Sequence, residues 1–357
     1  MLLQRIMLYG TVKHRTIMWQ AMAQSQHLVR RGKQILSVIS SNKGLQTEIL
    51  QETEGMVPAL YVWFSRDVIQ RKSTEYKRKE GKKMRTISLL NLKGGVAKSF
   101  SVVNFAYELW RRGHKVLILD NDKQGNLSKA YQRYDPDSVA PITKLLCGEW
   151  HHPKELIQPT DYDGIDIVTA NMSLFGAVWN LIKGGTENLA GRYRKFIEAI
   201  GARKEDIAEN DIFNGYDYCI IDNPPDISLN VINALAITDE VIVPVKIDED
   251  ALEGLDIVAE QIEDAKALNP SLLLCGILVT TYQNTDGEKA GLEWLQREYE
   301  NADSRLYQKY PVLGIIRYSR KVAENSFLRK PIYEYSPCCA AAQDYKAFVT
   351  EYTGKGR

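Results

Sequence analysis

The chain has 357 residues, 44% of them hydrophobic and 25% charged, with a formal net charge of +1, a composition that excludes collagenous and wholly disordered classes. The balance hides an asymmetry: residues 1–83 hold 15 Lys and Arg against 6 Asp and Glu, a net +9, which leaves 31 against 39, a net −8, for residues 84–357. No run of about 18 apolar residues occurs, so no membrane span is expected, and five scattered cysteines fit a reducing cytoplasm better than a disulfide framework.

The chain opens Met-Leu-Leu-Gln-Arg-Ile-Met, but His14, Arg15 and Gln20 interrupt the apolar stretch and no small-residue cleavage site follows, so no secretory leader is expected. Residues 1–83 contain an apolar stretch, Ala59 to Phe64, and a basic run, Arg71 to Lys83. Two readings stand side by side. One is a basic DNA-binding or regulatory extension, for which no helix-turn-helix spacing is visible and only non-specific phosphate contact is supported. The other is an over-extended gene model: Lys79-Glu80-Gly81-Lys82-Lys83-Met84 back-translates to AAR-GAR-GGN-AAR-AAR-ATG, a purine-rich tract ahead of a start codon. Either way the expected organisation is an N-terminal segment 1–83 and a domain 84–357.

From Met84 the pattern becomes regular. The apolar run Ile87 to Leu90 leads into Lys93-Gly94-Gly95-Val96-Ala97-Lys98-Ser99, and a helical pattern follows from Ser101 to Arg112. Strand, glycine-rich loop and helix in that order make a phosphate cradle, because tightly folded backbone turns N–H groups inward and the helix N-terminus adds partial positive charge. In such loops the lysine, here Lys98, reaches the β- and γ-phosphates and the hydroxyl, here Ser99, meets magnesium. The common form G-x-x-x-x-G-K-[ST] would need glycine where Leu92 and Ala97 stand.

Next, Lys115 to Leu119 reads as a buried strand ending in Asp120, and Tyr218 to Ile221 as another ending in Asp222. In parallel α/β sheets ligands sit beyond the carboxyl ends of strands, so both acids are delivered toward the phosphates. The second of these, four apolar residues ending in Asp222, is also the Walker B arrangement, whose carboxylate holds magnesium. Between them, Gly164 to Asn171 reads as a strand leaving the sheet and Leu189 to Ile200 as a basic-faced helix, neither with assigned chemistry.

The string Lys93-Gly94-Gly95-Val96-Ala97-Lys98-Ser99 resembles the deviant phosphate loop K-G-G-x-G-K-[ST] of the ParA/MinD ATPases. Four further stretches resemble that family in order: Asp120-Asn121-Asp122-Lys123-Gln124-Gly125-Asn126, Tyr216 to Pro225, Val241 to Val245 followed by Ala251 to Leu255, and Val322 to Glu324 followed by Lys330 to Pro337. The resemblance covers about 84–352 and implies a doubly wound, mostly parallel α/β P-loop fold. It implies ATP and Mg2+ as cofactors, with nucleotide contacts from Gly94, Gly95, Val96, Ala97, Lys98, Ser99 and Phe100, and metal contacts from Ser99, Asp120 and Asp222. Lys98 and Asp122 would be catalytic, Asp122 by orienting the attacking water, and Lys93 would reach a partner subunit's nucleotide across a homodimer.

The function so implied is a plasmid or chromosome partition ATPase of Soj type, cytoplasmic and nucleoid-associated. It would bind double-stranded DNA non-specifically in its ATP state and hydrolyse ATP slowly on stimulation by a centromere-binding, ParB-like partner. Because residues 84–357 are acidic overall, DNA contact would need a local patch, for which Arg317, Arg320, Lys321, Arg329 and Lys330 form the densest basic group. The chain departs from the family at Ala97, at Lys123 where proline is usual, and at Ile316-Arg317-Tyr318 in place of I-P-R.

Alternatives remain open. A MinD-like membrane ATPase would need a basic amphipathic C-terminal helix, and Tyr345 to Arg357 is short and weakly apolar. A related tyrosine kinase would need clustered tyrosines, whereas Tyr333, Tyr335, Tyr345 and Tyr352 are dispersed as core residues would be. Cys338-Cys339 lacks the paired spacing of cluster ligands. A DNA-binding regulator with little turnover would fit a loop weakened at Ala97.

Overall fold

A computed structural model describes residues 84–184, 189–200, 215–300 and 311–354. The N-terminal segment 1–83, with both readings attached to it, lies outside the described residues.

The described residues build an eight-stranded sheet with helices on both faces. In chain order the strands are β1 (Arg85–Leu89), β2 (Val116–Asp120), β3 (Gln158–Pro159), β4 (Ile165–Val168), β5 (Tyr218–Asp222), β6 (Glu240–Val245), β7 (Leu273–Tyr282) and β8 (Val312–Arg317). Their spatial order is β3-β4-β2-β5-β1-β6-β7-β8. All neighbours run parallel except the two-residue edge strand β3. This is the expected doubly wound, mostly parallel sheet. The chain leaves β1 toward β2 on one side and later returns to place β6 on the other, which makes the β1 edge the switch point where such folds bind ligands.

Parallel strands covered on both faces must be apolar throughout. In β2, Val116 and Ile118 enter one core while Leu117 and Leu119 enter another, and in β5 Ile220 and Ile221 divide in the same way. The first core lies under helix α1 (Lys98–Arg111) and the C-terminal α11 (Ala340–Gly354). The opposite face is covered by α3 (Pro141–Cys147), α4 (Ser173–Lys183), α5 (Arg192–Ile200) and α6 (Leu229–Leu235), with α7 (Glu249–Ala265) and α8 (Asp286–Glu300) beyond them. Three short helices complete the set: α2 (Asn126–Ala130), α9 (Arg320–Leu328) and α10 (Ile332–Tyr335).

Phe105 of α1 meets Phe348 and Tyr352 of α11 edge-on, each at 5.2 Å between ring centroids, and the Ser101 and Tyr345 hydroxyls are hydrogen-bonded at 2.8 Å. The apolar face of α11 is therefore core, and so are Tyr333, Tyr345 and Tyr352, while Tyr335 is half-buried. The helix expected from Leu189 begins as a short 3-10 turn, Leu189–Gly191, before α5. Among the described residues no helix is long and apolar enough to cross a membrane.

Candidate active site

The loop between β1 and α1 is fixed at its start by Asn91. Its Nδ2 donates to the Pro244 carbonyl of β6 at 2.7 Å and its Oδ1 accepts from the Lys93 backbone at 2.8 Å. Thr280 of β7 donates to the Val96 carbonyl at 3.2 Å. Two residues of the loop are left-handed, Gly95 at φ 74° and Ala97 at φ 58°. Left-handed residues in a short loop turn neighbouring N–H groups toward a common hollow, the nest geometry that binds anions. The Ala97 position, where the family has glycine, thus does require positive φ, and alanine holds it at a cost of about 1–2 kcal/mol. Helix α1 starts at Lys98, one turn earlier than the apolar pattern predicted, because the left-handed Ala97 lets the chain enter the helix directly; its carbonyl accepts from Ser101 at 2.9 Å. The positive end of the helix dipole consequently sits at the loop.

Lys98 is buried, and its ammonium donates to the carbonyls of Asn91 at 3.1 Å and Lys93 at 3.0 Å. Burial lowers its pKa, opposed by the carboxylates of Asp222, Asp122 and Asp226. Lys93, on the loop's rim, forms an ion pair with Asp248, the residue before α7, at 2.5 Å. Phe100 packs inward, its ring 5.9 Å from that of Tyr345, so its backbone alone is left to meet a ligand.

Asp120 and Asp222 are register partners on neighbouring strands and therefore project to the same side. Asp120 is completely buried and accepts from the Ser128 hydroxyl at 2.6 Å and the Ser128 amide at 2.7 Å. Both oxygens of Asp222 are buried without a hydrogen-bond partner among the described residues; the Ser99 hydroxyl faces this carboxylate and favours its ionised form without completing bond geometry. Burial pushes both carboxyls above the usual carboxylate range, and for Asp222 the neighbouring Asp120 adds to the shift. An unpartnered buried carboxylate costs free energy unless a cation answers it. Ser99 and Asp222 thus fit Mg2+, which is ordinarily held by one or two carboxylates together with phosphate oxygens and water. Asp120, with its Oδ2 occupied by Ser128, fits an outer position. Among the described residues no group of three or more His, Cys, Asp or Glu forms a metal cage, and Cys338 and Cys339 are part of none.

Asp122 is held by its own turn: its Oδ1 accepts from the Gln124 amide and its carbonyl from the Gly125 amide, both at 2.9 Å. Gly125, at φ 62°, is obligatory there because a Cβ would stand 2.5 Å from the Tyr134 ring and 2.7 Å from the Ala170 carbonyl.

An asparagine network that the residue patterns left unassigned binds the strand ends together. Asn121 donates to Asn223 at 2.9 Å, Asn230 of α6 donates to the Asn121 carbonyl at 2.7 Å, and Tyr193 of α5 donates to Asn121 Oδ1 at 2.8 Å. Asn223 in turn donates to the Leu89 carbonyl at 3.1 Å. Asn121 and Asn223 each directly follow a strand-terminal Asp, which is the one signal in the sequence that could have marked them. Asn91, Tyr193 and Asp248 carried no such signal.

The basic group lies apart from this site, at β8 and α9. Arg317 is clamped by Asp344 at 2.7 and 2.9 Å, and Lys321 pairs with Glu324 at 2.7 Å. Arg320, Arg329 and Lys330 are exposed with no ion pair among the described residues.

The sequence profile of an AAA domain family matches residues 84–274. The chromosome-partitioning ATPase Soj of Thermus thermophilus is 32% identical over 271 residues, 75% of this chain and 95% of its own length. The chromosome partitioning protein ParA of Caulobacter vibrioides is 28% identical over 77% of this chain and 96% of its own length. Among solved structures, cobyrinic acid a,c-diamide synthase from Mycobacterium smegmatis, crystallised with an ATP analog and magnesium, superposes with a TM-score of 0.59 at 26% identity, covering 77% of this chain and 97% of that one. With the phosphate loop, the paired acids and the switch-point sheet arranged as these relatives lead one to expect, the chain belongs to the ParA/Soj-type partition ATPases of the ParA/MinD P-loop family.

Proposed function

We propose that this protein is an ATP-driven dimerising switch, which binds DNA without sequence preference in its ATP state and is reset when a partner stimulates hydrolysis. The observation that carries the reading is the pairing of a left-handed phosphate loop, bearing Lys93 on its rim, with the unpartnered carboxylate of Asp222. Hydrolysis asks a protein mainly for positioning and charge stabilisation. The loop amides and the α1 N-terminus hold phosphate oxygens, and Lys98 exchanges its two carbonyl contacts for them. Mg2+, when bound, supplies the remaining positive charge against the phosphates. Asp122, fixed by its own turn, orients the attacking water. Lys93, once free of Asp248, offers its ammonium to the nucleotide of a second copy. A lysine that acts only across an interface makes ATP favour the dimer and hydrolysis release it.

Of the five basic residues, Arg320, Arg329 and Lys330 are available to phosphates, whereas Arg317 and Lys321 would first have to leave Asp344 and Glu324.

The test uses the full chain, with light scattering for mass and filter binding for DNA. Lys98→Ala is expected to lose ATP binding; Lys93→Ala should bind ATP yet remain monomeric, without turnover or DNA retention. A Lys93→Ala protein that dimerises and hydrolyses ATP as the parent does would overturn the proposal.

A further inference from the structure

We infer that Lys123 and Asp226 act together as a positioning pair for Asp122, tying the segment after β2 to the segment after β5. The inference rests on the proposed water-orienting role of Asp122. Lys123 follows Asp122 directly, and its ammonium meets Asp226 Oδ2 at 3.1 Å across 103 positions of sequence. The tie does not end there. The other oxygen of Asp226 accepts from the Ser228 hydroxyl at 2.6 Å, Ser228 stands 2.7 Å from Asn230 Oδ1, and Asn230 Nδ2 donates to the Asn121 carbonyl at 2.7 Å. Beginning at Lys123 and ending at Asn121, these contacts link the residues on either side of Asp122, the single Ser228 proton serving Asp226 or Asn230 but not both at once. A small cavity of about 30 Å³ beside Lys123 is lined by Leu174, Phe175 and Val178 of α4 with Pro224, Ser228 and Asn230.

The local turn explains why a pair is needed. The Asp122 side chain accepts from the Gln124 amide, its carbonyl accepts from the Gly125 amide, and its own amide donates to Asp120 Oδ1 at 3.3 Å, contacts that all lie within residues 120–125. Asp120 is different, since Ser128 of α2 holds it from outside its own turn. Asn121, on the other side of Asp122, is tied to the end of β5 by its amide to the Asp222 carbonyl and its side chain to Asn223, both at 2.9 Å; Lys123–Asp226 supplies the matching tie on the C-terminal side of Asp122. The pair is partly exposed, with side-chain accessibilities of 31% and 39%, so it is screened by salt.

The experiment measures Mg2+-ATP turnover, the KM for ATP and thermal stability for the full chain, for Asp122→Ala, for Lys123→Ala, for Asp226→Ala, and for the charge swap Lys123→Asp with Asp226→Lys. For each single variant of the pair kcat is expected to fall about two- to five-fold, the range of an exposed ion pair, with KM and Tm unchanged and partial recovery in the swap. Raising the salt concentration should lower the parent's kcat toward the variants' while leaving theirs flat. Amide exchange followed by NMR gives a readout independent of turnover: Gln124 and Gly125 should exchange faster in Lys123→Ala. If Asp122→Ala keeps full turnover, the water-orienting reading fails and the positioning role fails with it. If Asp122→Ala is inactive while Lys123→Ala matches the parent in kcat, salt response and amide exchange, only the positioning pair is overturned.

Discussion

Ala97 offers the sharpest test of how this loop is built. It adopts φ 58°, ψ 32°, a conformation that costs an ordinary L-residue about 1–2 kcal/mol and glycine almost nothing. Ala97→Gly removes that cost but gives the unfolded chain more freedom, worth about 0.5–1 kcal/mol in the other direction. The net gain is therefore about 0.5–1 kcal/mol. For a domain of this size that corresponds to about 1–3 °C in Tm. Any part of that strain taken up only when the loop orders around phosphate appears instead as tighter ATP binding, so the gains in Tm and in affinity share one total of about 0.5–1 kcal/mol, at most about five-fold in affinity. Ala97→Val, β-branched and worse suited to positive φ, should shift both quantities the other way and by more. Calorimetric titration with a non-hydrolysable ATP analogue and a thermal melt measure the two effects. If Ala97→Gly matched the parent in both and Ala97→Val were tolerated, the left-handed strain would have no energetic meaning.

Three further outcomes follow from the structure. Asp120 and Asp222 ionise less readily folded than unfolded, so the folded state binds more protons above the ordinary carboxylate pKa, and the Tm of the ligand-free protein should fall as pH rises from about 5 to 8. Asp222→Asn should flatten that slope and raise the ligand-free Tm at pH 8 while abolishing Mg2+-dependent stabilisation by ATP; an unaltered slope would show that the buried carboxylate is not the cause. Asp248→Asn removes the charge that holds Lys93 and should lower the ATP concentration needed for dimerisation, read by light scattering, whereas a loss of dimerisation would mean that Asp248 supports the assembly. Replacing Arg320, Arg329 and Lys330 together by Ala should lower the log–log salt slope of DNA binding by about 3 per subunit. The same change at Arg317 alone should leave that slope nearly intact, because its charge is already answered by Asp344.

Several parts of this protein follow from its sequence alone. Strands β2 and β5, the loop between β1 and α1, and the acids at the strand ends were legible because each depends on local information. A parallel strand buried on both faces must be an unbroken apolar run, and a residue at its end must face the switch point whatever the rest of the chain does. The basic patch was legible only as a count of charges. Tertiary structure decided which of those charges are free, since the Asp344 that neutralises Arg317 comes from α11, 27 residues away.

The phosphate loop shows the same division. Its glycines, Lys98 and Ser99 announce phosphate binding by their spacing, but the left-handed turn at Ala97 appears only in the backbone, because alanine carries no sign of the φ it is forced to adopt. The hold of Asp248 on Lys93 spans 155 positions and that of Tyr193 on Asn121 spans 72. Contacts of that range arise from how the helices lie on the sheet, and no local periodicity records them. The sequence by itself pointed to a phosphate loop and to the side chains expected around it. The folded chain alone decided which of them are braced, which are paired away, and which, like the carboxylate of Asp222, are left without a hydrogen-bond partner among the described residues.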